Sequence, residues 1–178
     1  LSDLLEDEIE EVMRMNSAEL PMPVGGEVGH ITYRYDAKDD YVRFACSLID
    51  LDLSGLKIVV DTAEGASYYT APKTLESLGA KPVVIHTHPD GVNINRACGS
   101  THMEELKKRV VEEGADLGIA FDGDADRMLA VDENGNMVDG DQIMAICGLY
   151  MRNQGRLKKD TVVATVMSNL GFFRMGEK

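Results

Sequence analysis

Hydrophobic positions along the chain fall into two rhythms. Near the start, Leu4, Leu5, Ile9, Val12 and Met13 recur at three- and four-residue intervals among acidic residues. That spacing predicts an amphipathic helix over about residues 3–14. "NSAELPMPVGG" breaks the rhythm with two prolines and a glycine pair, so it predicts a linker or loop. "HITYRY" (30–35) reads as a short β-rich run, and "AKDDYVRFACSLID" as a helix with Tyr41, Phe44, Ala45 and Leu48 on one face. From Leu56 the pattern changes. "LKIVVD", "PVVIH" and "ADLGIAF" are short continuous apolar runs of strand length. A helix is predicted between Ala66 and Leu78, starting at or near Pro72 and stopped by Gly79. Another, "MEELKKRVVEEG", is predicted to open with a capping box of Thr101 and Glu104. "MLAVD" follows as a strand, Asn134-Gly135 marks a hairpin turn, and "DQIMAICGLYMRN" reads as a helix capped by Asp141. "TVVATVM" predicts one more strand.

Strands alternating with helices predict an α/β fold, a layered parallel sheet with helices on both faces. Ligands on such sheets collect beyond the carboxyl ends of the strands. Asp61, His86 and Asp122 stand at or just past three such ends.

Composition narrows the function. Thirty-one acidic against eighteen basic residues give a formal net charge of −13. General attraction to nucleic acid or to an anionic membrane is thereby disfavoured. No apolar run reaches the roughly 18 residues of a membrane span. Cys46, Cys98 and Cys147 are odd in number and far apart, which predicts a reducing cytoplasm rather than a disulfide framework. The ten methionines read as core filling. The chain opens on Leu1 rather than Met, which points to a fragment or a processed chain.

The most informative chemistry lies in "GIAFDGDADRMLAVDENG" (118–135). Asp122, Asp124 and Asp126 alternate with small residues between two apolar runs. An acidic solvated turn is the plain reading of one Asp-Gly pair, but three carboxylates after a strand repel one another unless a cation neutralises them. Their hard oxygen donors suit Mg²⁺, Mn²⁺ or Ca²⁺ rather than zinc. A calcium helix–loop–helix would use Asp122, Asp124, Asp126 and Glu133, yet Arg127 stands where its turn glycine belongs and the flanks are strand-like. A dehalogenase-like phosphatase would make Asp122 the nucleophile and Asp124 the acid, with Asp126 out of pattern. Three metal-ligating aspartates with Arg127 positioned for a phosphate point instead to Mg²⁺-assisted phosphoryl transfer.

"FDGDADR" resembles the metal-binding loop of the α-D-phosphohexomutases. "LSGLKIVVDTAEGASYYTAPKTLESLGA", "PDGVNINRACGSTH", "VDGDQIM" and "TVMSNLG" resemble successive segments of its phosphoglucosamine mutase subgroup, in order over about residues 50–171. The resemblance implies a four-domain isomerase of amino-sugar metabolism. Such an enzyme interconverts glucosamine 6-phosphate and glucosamine 1-phosphate through a phosphoserine and a bisphosphorylated sugar. It makes Asp122, Asp124 and Asp126 the ligands of Mg²⁺, with a phosphoserine oxygen as fourth ligand, and Arg127 a contact to the serine or substrate phosphate. It divides the chain into residues 1–36, the tail of domain 1 and a linker; 37–137, domain 2 with the metal loop; and 138–178, the truncated start of domain 3. The family's serine loop, sugar-reading loop and terminal phosphate loop have no counterpart in these residues, so no catalytic nucleophile is assigned and the chain alone is expected to be inactive. A phosphosugar is the implied substrate partner, without nucleic acid or membrane; the oligomeric state is left open. The alternatives are a phosphomannomutase or phosphoglucomutase of the same superfamily, or a non-catalytic cation-binding module.

Other residues read more simply. His86, His88, Cys98 and His102 form H-x-H-x9-C-x3-H, a spacing that could pass for zinc, but His102 follows a capping threonine and Cys98 sits in a glycine-containing turn. Asp61 and Gly65 resemble a phosphate-binding turn only weakly, and Ser168 has no base beside it.

Overall fold

Alternate residues of each central strand are buried under different helices, and this places the sheet in the middle of the fold. The computed structural model describes residues 1–16 and 19–176 and separates the chain into two units, Leu1–Tyr35 and Asp36–Lys178. The first contains α1 (Asp3–Arg14), the predicted amphipathic helix, none of whose residues is buried. Ser17 and Ala18 of the predicted linker lie outside the described residues. The β-rich run at 30–35 does not form a strand. It has no ladder partner among the described residues, and Ile31, Tyr33 and Tyr35 are exposed, with the two tyrosine rings stacked 5.8 Å apart. A strand needs a neighbouring strand to complete its ladder, so β propensity alone does not form one.

The second unit is built on β1 (Lys57–Asp61), β2 (Lys81–Ile85), β3 (Leu117–Phe121), β4 (Met128–Asp132) and β5 (Met137–Val138), in the spatial order β2-β1-β3-β4-β5. The first three are mutually parallel; β4 and β5 add on antiparallel, through the Asn134-Gly135 hairpin. The sheet is therefore mixed rather than purely parallel, while the α/β layering matches expectation. Helix α3 (Thr70–Ser77) covers Ile58 and Val60 with Ala71 and Leu75, on the side that also takes Leu117, Ile119 and Phe121. Helix α4 (Glu104–Glu113) covers the other face, where Leu106 and Val110 pack with Val59, Ile85, Ala120 and Val131. Pro72 lies in the first turn of α3, where its missing N–H has no intrahelical role, and Gly79 closes the helix at φ +94°.

Helix α2 (Ala37–Ser47) packs on α3. It does so through buried Val42, through Asp39, which accepts the Tyr69 hydroxyl at 2.7 Å, and through Cys46, whose Sγ lies 3.8 Å from the Thr74 carbonyl oxygen. Tyr41, Phe44 and Leu48 do share a face, but that face is exposed. Periodicity marked the apolar stripe; the partner helix selected the neighbouring one.

Three further expectations change. Thr101 does not cap α4: it lies in a short 3₁₀ turn, Gly99–Thr101, and its hydroxyl meets His102 Nδ1 at 3.1 Å. Asp139, not Asp141, caps α5 (Gly140–Asn153), exchanging hydrogen bonds with Gln142 in a complete capping box. Asp141 instead accepts from the Asn169 backbone N–H at 2.6 Å, just before α6 (Leu170–Gly176). The run "TVVATVM" has no strand partner among the described residues and is irregular, with Val163 and Val166 exposed. No described helix is long and apolar enough to cross a membrane.

Candidate metal centre

Phe121 pairs with Met128 across β3 and β4, so residues 122–127 must reverse the chain within one tight loop. Asp122 organises it. Its carbonyl accepts from Ala125 N at 3.0 Å, and Ala125 takes a left-handed φ of +61°. Its carboxylate accepts from Arg127 N at 3.1 Å on Oδ1 and from Arg127 Nε at 2.6 Å on Oδ2. The carboxylate is buried, whereas Arg127 is 73% exposed and also comes within 3.4 Å of Asp126 Oδ1.

The loop is held from below by a backbone contact. Ala66 N donates to Gly123 O at 2.8 Å, bringing the turn after β1 against the turn after β3. A Cβ at Gly65 would fall 2.2 Å from Gly123 O, so the two turns can meet only without a side chain there. The sequence singled out Gly65 as a weak phosphate-turn signal; the structure assigns it this packing role. Its signal was a glycine in the turn after β1, the strand adjacent to β3.

With the turn held, carboxylate oxygens of Asp122, Asp124 and Asp126 lie within 4.8 Å of one another. Asp122 is buried and the other two are exposed, so the cluster has a fixed base and an open mouth. Three oxygen donors from one loop, with the remaining positions left to water or a phosphate, fit a hard divalent cation such as Mg²⁺. The formal charges of the three aspartates and Arg127 sum to −2, the complement of such an ion. Asp122, Asp124, Asp126 and Arg127 are thus brought together as the sequence suggested. The strand flanks leave no helix–loop–helix, which removes the calcium-hand reading.

Burial by itself would push the Asp122 carboxyl up. The Arg127 backbone N–H, its guanidinium hydrogen bond and its charge outweigh that and hold the carboxyl below the ordinary carboxylate range. A depressed folded pKa contributes stability that is present above the unfolded value of about 4 and is lost as pH falls through the lower folded value. In chelator, the melting-temperature difference between the wild type and Asp122→Asn should therefore change in one direction, against the wild type, between about pH 5 and about pH 2. A difference that stays constant over that range would show that the charged form of Asp122 is not favoured by folding.

The histidine–cysteine spacing, which the sequence gives little reason to read as zinc, is rearranged in space. His86 and Cys98 come together with Asp61, while His88 and His102 do not join them. Asp61 is fully buried and accepts from Ala63 N at 2.8 Å and Gly99 N at 2.9 Å, which ties two loops to the end of β1. Sequence spacing placed Asp61 and His86 at strand ends but did not group them with Cys98, because the pairing of β1 with β2 and the Gly99 N–Asp61 hydrogen bond are long-range. Burial, followed by the charges of Asp61, Glu64 and Glu105, pushes the Cys98 thiol up to about 11.

Residues 39–135 match the model of phosphoglucomutase/phosphomannomutase α/β/α domain II, and residues 139–178 match that of domain III. The phosphoglucosamine mutase of Acetivibrio thermocellus is 57% identical over the whole chain and that of Desulforamulus reducens 56%; the chain spans 40% of each of these curated relatives. A crystal structure of a phosphoglucomutase/phosphomannomutase family protein from Burkholderia thailandensis superposes with a TM-score of 0.60 at 26% identity, over 68% of this chain and 27% of that one. A putative phosphomannomutase from Thermus thermophilus shares the fold, with a TM-score of 0.56 at 19% identity over 66% of this chain and 29% of that one. A mixed α/β sheet, a clustered aspartate loop at its carboxyl edge and these matches to two successive domains lead to one conclusion: the chain belongs to the phosphoglucosamine mutase family of the α-D-phosphohexomutase superfamily.

Proposed function

We propose that this chain supplies the metal loop of an intramolecular phosphotransferase that interconverts glucosamine 6-phosphate and glucosamine 1-phosphate in the cytoplasm. The observation that carries the reading is the convergence of the Asp122, Asp124 and Asp126 carboxylates beside Arg127 at the end of β3. These three aspartates would hold Mg²⁺, which when bound supplies charge stabilisation for a transferring phosphoryl group. The chain's own residues do the positioning. Asp122 is fixed by burial and by two hydrogen bonds from Arg127, and so sets where the other two carboxylates must meet. Arg127 keeps its charge at every working pH and carries a planar donor fork suited to phosphate. The phosphoserine and the sugar-reading loop would come from other parts of a family enzyme, so residues 1–36, 37–137 and 138–178 act as the tail of one domain, a complete second and the start of a third. By itself the chain is expected to turn over neither sugar phosphate.

A chimera tests this. The chain replaces the corresponding segment of the Acetivibrio thermocellus phosphoglucosamine mutase, with which it aligns over its full length. The chimera should interconvert the glucosamine phosphates and carry covalent phosphate on serine. Asp122→Asn within it should lower kcat by on the order of 100- to 1,000-fold, the usual cost of losing one charge-stabilising group, while the serine still labels. A folded chimera without activity contradicts the mutase reading, and label on Asp122 would favour a dehalogenase-like phosphatase.

A further inference from the structure

A second ligand cluster lies at the carboxyl edge of the same sheet, apart from the aspartate loop and composed of different donors. Asp61 ends β1, His86 follows β2, and Cys98 comes from the long loop before α4. One oxygen, one nitrogen and one sulfur of these residues lie within 4.8 Å of one another. Asp61 and Cys98 are fully buried, and His86 is 19% exposed at its side chain. His86 Nδ1 is buried and lies 3.0 Å from Asp61 Oδ2, yet makes no hydrogen bond. A buried ring nitrogen without a hydrogen bond, beside a buried carboxylate, is poorly satisfied as it stands. On the far side of the ring, Nε2 lies 3.2 Å from Glu105 Oε2. A carboxylate on one imidazole nitrogen is the arrangement that orients the other nitrogen toward a metal.

We propose that Asp61, His86 and Cys98 form a binding site for a borderline-soft divalent cation of the zinc class, separate from the hard-cation loop at Asp122. The donor set selects that class: thiolate and imidazole favour zinc-like ions, whereas Mg²⁺ takes oxygen alone. Asp61 can take part while keeping its loop contacts, because a carboxylate has more lone pairs than the two N–H groups that use it. Binding forms a metal–sulfur bond and releases the Cys98 proton to solvent. The carboxylates of Asp61, Glu64 and Glu105, whose charges raise the thiol, give the site the negative field that a cation would relieve. The partly exposed edge of His86 provides the way in. The fourth position of a tetrahedral zinc site is left to water, as in sites with three protein ligands. The backbone around the cluster is unusual too: Ala63, Glu64, His86, Asn95 and Ala97 all hold left-handed φ angles between 50° and 57°. Non-glycine residues seldom do so, and such strain gathers at functional sites.

Cobalt titration of the chelator-treated chain tests the proposal. One equivalent of Co²⁺ should give a thiolate-to-metal charge-transfer band in the near ultraviolet and the visible bands of a tetrahedral site, both displaced by Zn²⁺ and untouched by excess Mg²⁺. Cys98→Ala should remove the charge-transfer band. His86→Asn, chosen because asparagine tolerates the left-handed backbone at this residue, should abolish tight binding. Glu105→Gln should weaken it about tenfold. The paired change Asp124→Asn and Asp126→Asn should leave the spectrum as it is. Circular dichroism of each variant checks that the fold is kept. Absence of the band in the wild type, or its survival in Cys98→Ala, overturns the proposal, since a surviving band belongs to Cys46 or Cys147.

Discussion

Alanine at residue 65 is expected to lower the melting temperature by about 6–12 °C. The added Cβ would lie 2.2 Å from Gly123 O and 2.7 Å from Gly123 Cα, and all three of its nearest neighbours are backbone atoms that no rotamer change can move. Overpacking of this kind costs about 3 kcal/mol. Each kcal/mol shifts the melting point by about 2–4 °C in a chain of this size. Relief requires the turns after β1 and β3 to separate, which breaks the Ala66 N–Gly123 O hydrogen bond and lets the aspartate loop drift from its base. Cation affinity should therefore fall together with stability. Gly123→Ala is the informative contrast. Its Cβ would meet Ile94 Cδ1 at 2.6 Å and Asn95 Nδ2 at 2.8 Å, both at the ends of side chains that can turn away. Thermal melting of the two variants should show the larger loss at Gly65. Equal losses would mean that the backbone approach is not what constrains the loop.

Replacing Asp124 and Asp126 together by asparagine should weaken divalent-cation binding by more than about 100-fold, the upper end of what loss of even an outer partner costs a metal site. These two are the clean positions for the test. Both are exposed, so their neutralisation disturbs little packing, and surface changes of this kind stay within about 0.5 kcal/mol. Asp122 is different: it is buried and receives two hydrogen bonds from Arg127, so removing it mixes folding with binding. The electrostatics also favour the pair. With Asp124 and Asp126 neutral, the charge of Asp122 is balanced by Arg127 alone and nothing is left to attract a dication.

Much of this site was legible because its parts are contiguous. Asp122, Asp124, Asp126 and Arg127 lie on one loop, and the apolar runs on either side place that loop at a strand end whatever the remaining topology. The central strands were legible for a similar reason, since a fully buried strand leaves an unbroken apolar run such as "KIVVD". What failed depended on partners. "HITYRY" and "TVVATVM" have strand composition but no neighbouring strand to pair with among the described residues. Thr101 and Asp141 had the right residue type for a cap, but one sits in a 3₁₀ turn and the other lies two residues past the true cap, Asp139. The cluster of Asp61, His86 and Cys98 is long-range in the same sense: only the parallel register of β1 and β2, which sets Asp61 opposite Ile85, brings His86 to Asp61.

Manganese binding reports directly on whether the aspartate loop holds a divalent cation. Mn²⁺ replaces Mg²⁺ at oxygen-rich sites, and its free ion is counted by electron paramagnetic resonance. Titration is best done in a Cys98→Ala background, which removes the thiolate of the other cluster. A chain with Asp122, Asp124 and Asp126 intact should withdraw one Mn²⁺ per molecule from the free signal, and Mg²⁺ should return it. The Asp124→Asn, Asp126→Asn variant should withdraw none over the same range. Equal binding by both chains, or no binding by either, would contradict the assignment of this loop as a divalent-cation site.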